Sequence, residues 1–220
     1  MAKLTQEQIQ ANKEEFIRLL RLSGRENIES LINWLETKSD FFDAPSSTIY
    51  HGDYEGGLCQ HSLNVYKAAK MFISKGIMLA AKENELDKIP EATLIITTLL
   101  HDLCKTNFYF PEIKNFKDET TNSWKKYKTY KCVDNFPLGH GEKSVIMLQN
   151  FIKLTGNEII AIRWHMSFFD PGSFISPYEK PSLLKACDEC PLAVILQLAD
   201  YYASHLMEYA IDQKVENIIF

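Results

Sequence analysis

No stretch of this 220-residue chain approaches the roughly 18 consecutive apolar residues that would suggest a membrane span, and its opening residues, MAKLTQEQIQANKEEF, lack the apolar core of a secretion signal. A cytoplasmic protein without a membrane partner is expected. Internal repeats and low-complexity tracts are missing too, and no linker forces a domain boundary. With 45% hydrophobic residues the chain is long enough for one domain with a substantial core, and a second is not required. It also lacks an excess of positive charge. A net charge of -5 gives no global attraction to nucleic acid or to an anionic surface, so any such partner must be held by a local patch. The five cysteines are an odd number at uneven spacing, and reduced thiols are expected. One pair, Cys187 and Cys190, has CxxC spacing. Without a second pair or a thioredoxin-like βαβ pattern, it supports neither a structural zinc site nor a redox site.

What the chain does have is helical periodicity along most of its length. Leu4 to Leu22 places Ile9, Phe16, Leu19 and Leu20 near one face, and Glu26 to Thr37 turns Ile28, Leu31, Ile32 and Leu35 inward. Ser39 to Asp53 reads as a loop. Further helices are expected over about Leu58 to Ser74, Pro90 to Cys104, Gly141 to Leu154, Gly156 to Met166 and Pro191 to Ile211, with a loop from Asp170 to Pro181. Residues 107–139 break the pattern with aromatics, lysines and two prolines, and an inserted loop or small β-hairpin is expected there.

The chemistry lies in where histidines and aspartates fall on this frame. His61, His101-Asp102, His140, His165 and Asp200 each sit on or beside a separate expected helix, in apolar or glycine-rich surroundings. Five helices can point them at one centre. Neighbours on a helix differ by about 100° in direction, so His101 and Asp102 reach one metal together only at a helix end or a distortion. Taken singly, each histidine is more often a hydrogen-bonded core residue than a ligand. As a set they point to a metal, and Asp200, in the apolar run Leu196-Gln197-Leu198-Ala199-Asp200, would be costly to bury without a cation. Imidazole with carboxylate suits one or two divalent transition metals such as manganese, iron, zinc, nickel or cobalt better than calcium.

Five ordered segments carry a resemblance: Gly56-Gly57-Leu58-Cys59-Gln60-His61-Ser62, Leu99-Leu100-His101-Asp102-Leu103-Cys104-Lys105, Gly139-His140-Gly141-Glu142-Lys143-Ser144, Ile162-Arg163-Trp164-His165 and Leu198-Ala199-Asp200. Over roughly Tyr54 to Glu208 the chain resembles the HD superfamily of metal-dependent phosphohydrolases. The resemblance implies an all-α HD-domain helical bundle in a single domain over 1–220, with N-terminal helices in 1–53 packing on an HD core over 54–211. It implies a metal held by His61, His101, Asp102 and Asp200. With His140 and His165 also present, it implies a second metal, bridged to the first by Asp102. Such pairs lie roughly 3.5–4 Å apart and serve in-line phosphoryl displacement; the expected nucleophile is a bridging hydroxide.

Lys105 and Arg163 are the candidates for neutralising phosphate charge, and an ordinary solvated charge is the plain alternative for each. Ser62, Glu142 and His205 are weaker candidates, the last as a group behind the metal ligands. The expected function is metal-dependent hydrolysis of a nucleotide or other phosphate ester. The glycine pair before His61 and the His140 motif look most like the HD domains of 3′–5′ exoribonucleases. No separate nucleic-acid-binding domain is found in the 53 residues before Tyr54, which favours a small phosphorylated substrate over nucleic acid. Two other readings are a di-iron oxygenase acting on a small polyol or phosphonate, as in some relatives, and a metal-bound nucleotide-binding module without turnover. Between Phe108 and Lys131 six lysines against three acids alternate with aromatic residues. That mixture can stack bases and attract phosphates, or form a solvated flap whose rings pack on the domain.

Overall fold

Thr5 starts the first helix: its side chain accepts the Gln8 N–H while the Gln8 side chain takes the Thr5 N–H, a reciprocal cap. Helix α1 (Gln6–Leu22) buries Ile9, Phe16, Ile17, Leu19 and Leu20. In α2 (Ile28–Thr37) the buried positions are Ile28, Leu31, Ile32 and Leu35. The second helix starts two residues later than its apolar pattern suggests, because Asn27 takes a left-handed conformation at φ 63°. Phe16 packs against Phe41 and Phe42, ring centroids 4.9 and 5.6 Å away, and seals these helices to the loop that follows. This is a computed structural model, and it describes residues 4–48, 51–74, 89–118, 122–169 and 179–208.

The centre of the bundle is α3 (Gly57–Ser74), packed against α1, against α4 (Glu91–Leu100) and against α8 (Pro191–Tyr202). Nearly all of α4 is buried, as its unbroken apolar run requires, and three threonines return their hydroxyls to its own backbone or stay enclosed. It ends at Leu100; a turn and a short 3₁₀ segment, Leu103–Lys105, follow. Helices α5 (His140–Gln149) and α6 (Gly156–Trp164) cross closely, and α6 also meets α4, α8 and α7 (Glu179–Glu189). Glu158, fully buried, joins a capping box with Thr155 and an ion pair with Arg25, tying α6 to the turn after α1. After α8 the chain winds into a single π turn, Ala203–Met207.

Residues 107–139 contain an antiparallel hairpin, β1 (Tyr109–Asp118) and β2 (Ser123–Cys132), paired from Tyr109 with Cys132 to Asp118 with Ser123. The expected helical architecture with a small hairpin is therefore present. One expectation needs correcting. The loop expected through Pro181 gives way at Glu179 to α7; a proline in a first turn costs no intrahelical hydrogen bond. Residues 170–178, the rest of that loop, lie outside the described residues, as do 209–211 of the last expected helix. Among the described residues no helix is long and apolar enough to cross a membrane.

Candidate metal centre

The departure from helix at the end of α4 makes the centre. His101 keeps helical angles, but Asp102 moves to φ -100° and ψ 21°, so the two neighbouring side chains turn toward the same place. Asp102 is 2% exposed and meets every histidine of the set. Its two oxygens divide them. Oδ2 faces His101 Nε2 at 3.4 Å and His61 Nε2 at 3.6 Å. Oδ1 faces His140 Nε2 at 2.8 Å and His165 Nε2 at 3.5 Å. Asp200 joins the first pair, with Oδ1 3.2 Å from His61 Nε2. Donor atoms of His61, His101 and Asp200 lie within 4.8 Å of one another, as do those of His101, Asp102 and His165.

Chain segments far apart in sequence are brought together by close backbone approaches. A Cβ on Gly141 would fall 2.3 Å from the Arg163 carbonyl oxygen, so only glycine lets α5 press onto α6 and set His140 beside His165. The Cys104 N–H donates to Ser144 Oγ at 3.0 Å, fixing the 3₁₀ turn to α5. Gly56, at φ 78°, makes the turn into α3.

The other ring nitrogens show what the inner ones are for. His101 Nδ1 sits 2.9 Å from the Thr98 carbonyl and His165 Nδ1 2.7 Å from the Ile162 carbonyl. A carbonyl only accepts, so each Nδ1 carries the proton and each Nε2 of a neutral ring presents its lone pair inward. His61 Nδ1 is held by Glu208 at 3.0 and 3.2 Å. The Nε2 atoms of His61, His101 and His165 are buried and lack a hydrogen-bond partner among the described residues. Inward Nε2 atoms gathered with two carboxylates make a donor set that one cation can satisfy, and imidazoles backed by carbonyls or a carboxylate are the arrangement of metal-ligating histidines. The residues fit a divalent transition metal.

Charge at the centre is tightly held. Burial alone would raise the Asp102 carboxyl, but Lys105 and His101 outweigh it and hold it well below the usual carboxylate range. Lys105 Nζ lies 2.7 Å from Asp102 Oδ2. Burial works against its ammonium, yet Asp102 keeps it above its ordinary value. Asp200 is likewise lowered, burial being overcome by His61. The most open of these side chains is His140, at 32% side-chain exposure, so the centre faces solvent on that side.

Of the other candidates, Arg163 pairs with Glu142 and lies over the Trp164 ring. Ser62 donates to the Leu58 carbonyl within its own helix. His205 is exposed and packed on Tyr201, ring centroids 4.3 Å apart, so the expected group behind the ligands is a different residue. That residue is Glu208, which also accepts from Asn64 Nδ2 at 3.2 Å. His51 was missed as well: its ring lies 4.9 Å from that of His61, and burial pushes its pKa down to about 4. Cys187 and Cys190 have separate partners, Gln197 and the Asn157 carbonyl, away from the centre.

Convergence of buried imidazoles and carboxylates from five helical segments defines a metal-binding helical domain. The HD domain family model matches residues 58–204, more than half the chain, and the protein belongs to the HD domain family. Members are in general metal-dependent phosphohydrolases. Searches of curated proteins and of solved structures each gave no match.

Proposed function

We propose that this protein is a metal-dependent phosphohydrolase acting on a nucleotide or other phosphomonoester or phosphodiester, with two divalent transition metals sharing Asp102. The observation that carries the reading is the division of Asp102, one oxygen toward His61 and His101 and the other toward His140 and His165. His61, His101 and Asp200 would complete one site, His140 and His165 the other. Bound there, the metals would supply Lewis acidity, lowering the pKa of a water and stabilising charge on phosphoryl oxygens.

The chain's own residues do the rest. Glu208 and the carbonyls of Thr98 and Ile162 fix the ring orientations, so little reorganisation is needed when charge develops. Lys105 holds its ammonium against Asp102 Oδ2 and can neutralise a phosphate oxygen arriving beside that carboxylate. Arg163 reaches such an oxygen only by leaving Glu142, so Lys105 is the stronger candidate. Partly open His140 marks the side from which substrate enters.

The test is metal content per chain on protein purified without chelator, followed by a nucleotide and phosphate-ester panel with manganese added. Nearly two metals, phosphate release, and loss of both in Asp102→Ala support the proposal. One metal per chain with turnover intact refutes the shared pair. Iron with oxygen uptake favours the oxygenase alternative, and a filled centre without turnover on any ester favours a binding module.

A further inference from the structure

The hairpin carries a surface that the metal centre does not use. Residues 109–132 hold six lysines against three acids in a chain of net charge -5, so positive charge is concentrated on this one element. Cross-strand partners project on the same face of a two-stranded ladder. On one face the register sets Phe110 beside Lys131, Lys114 beside Tyr127, and Phe116 beside Lys125. Three of its ranks thus join an aromatic ring to an ammonium, alternating between strands. A fourth rank, Glu112 with Thr129, lies between the first two; Glu112 pairs with Lys114 at 3.3 Å and Thr129 turns to the Thr48 carbonyl. Ranks of one face recur every ~6.8 Å along the strands. Phe110, Phe116 and Tyr127 remain 40%, 44% and 41% exposed, and the Phe116 and Tyr127 rings meet edge to face at 5.7 Å.

Rings left in water cost free energy that burial elsewhere would recover. Here each ring has a lysine as its partner across the ladder. A membrane-inserting face would gather its apolar groups and rim them with charge; this one interleaves them. Interleaved rings and ammonium groups match a polymer that alternates flat apolar faces with phosphates. A single strand offers its base faces, whereas a duplex keeps them stacked inside.

Both ends of the hairpin run into the metal centre. Tyr109 opens β1 seven positions after Asp102, within electrostatic reach of that carboxylate and of Lys105, and its hydroxyl donates to the Ser46 carbonyl at 3.4 Å. Downstream of β2, Asp134 pairs with Lys143 of α5, whose first residue is the ligand His140. Short stretches of chain thus join the base of the hairpin to Asp102 and to the partly open His140.

We propose that this face of the hairpin binds single-stranded nucleic acid and presents it to the metal centre, the presentation resting on the phosphohydrolase reading above. The test is fluorescence anisotropy of a labelled twelve-nucleotide oligouridine with the full chain in excess chelator, which separates binding from turnover. Three lysine contacts predict a slope of log affinity on log salt of about -2. Phe116→Ala and Tyr127→Ala should each weaken binding about tenfold, and Lys131→Ala should reduce the slope by about 0.7. Trp124→Ala, on the opposite face at 72% exposure, should change neither. Equal affinity for heparin with no effect of the ring variants would overturn the proposal in favour of charge alone. Preferred binding to phosphatidylserine vesicles would overturn it in favour of a membrane. Adding manganese to the bound oligonucleotide then separates the two readings. Binding without cleavage overturns the presentation to the centre, and the phosphate-ester panel then decides the phosphohydrolase on its own; cleavage untouched by the ring variants refutes the surface and leaves the phosphohydrolase.

Discussion

Replacing Glu208 with glutamine removes one negative charge and leaves the side chain its length and one acceptor oxygen. In the native protein the carboxylate sits 3.0 and 3.2 Å from His61 Nδ1. A hydrogen bond to a charged group is worth about 1.5–3 kcal/mol and one between neutral groups about 0.5–1.5. The difference, about 1–1.5 kcal/mol, is about a tenfold loss in affinity for the metal that His61 helps hold. Glu208→Ala removes the acceptor altogether and frees the ring, so a loss of roughly 10–100-fold is expected. Competition with a fluorescent chelator at pH 7.5, manganese being titrated into chelated protein, measures both. His205→Ala, an exposed neighbour, should bind metal like the parent. If both Glu208 variants hold metal as the parent does while His61→Ala loses it, His61 is not oriented by Glu208 and the reasoning fails.

Lys105→Met should retain the metals and lower kcat on a phosphate ester by roughly 10²–10³, the usual effect of losing one charge-stabilising group; unchanged kcat at full metal content would remove Lys105 from the reaction. Gly141→Ala drives a methyl into the Arg163 carbonyl, and overpacking of that kind costs about 1–3 kcal/mol. Its melting temperature should fall by several degrees and its metal content should drop toward one per chain, because α5 and α6 carry His140 and His165 apart; two tightly held metals would contradict this. In metal-free protein burial lowers the His61 pKa, but Glu208 and Asp200 prevail and raise it to about 10. A folded pKa above the ordinary 6.5 contributes stability that is complete below pH 6.5 and lost as pH climbs toward 10. Chelated protein should therefore melt at lower temperature across that window, as followed by circular dichroism.

The residues that gather at the centre were legible because each stands out against its own helix. Asp200 interrupts an apolar run, and His101-Asp102 closes another, so burial and polarity conflict locally in a way that one cation resolves. Glu208 gave no such signal. In an uninterrupted α-helix Met207 would share the phase of Asp200, about two turns on. The π turn takes up one extra residue, closed by the Glu208 N–H on the Ala203 carbonyl at 3.0 Å, and brings position 208 inward instead. His51 lies in irregular backbone, where no period links a residue to a face. Helix α7 was hidden by Pro181 and by a polar composition whose buried contacts, Leu183 and Ala186, are few.

The proposed ligands begin at position 61 and end at position 200, on segments that touch only once the bundle is complete. An ion bound among them is therefore a buckle: it binds the finished fold and has no counterpart in a fragment of it. At a hundred times its dissociation constant such an ion adds about 2.7 kcal/mol to stability, so metal supply sets how firmly the whole chain resists heat and proteases as well as whether its centre is filled.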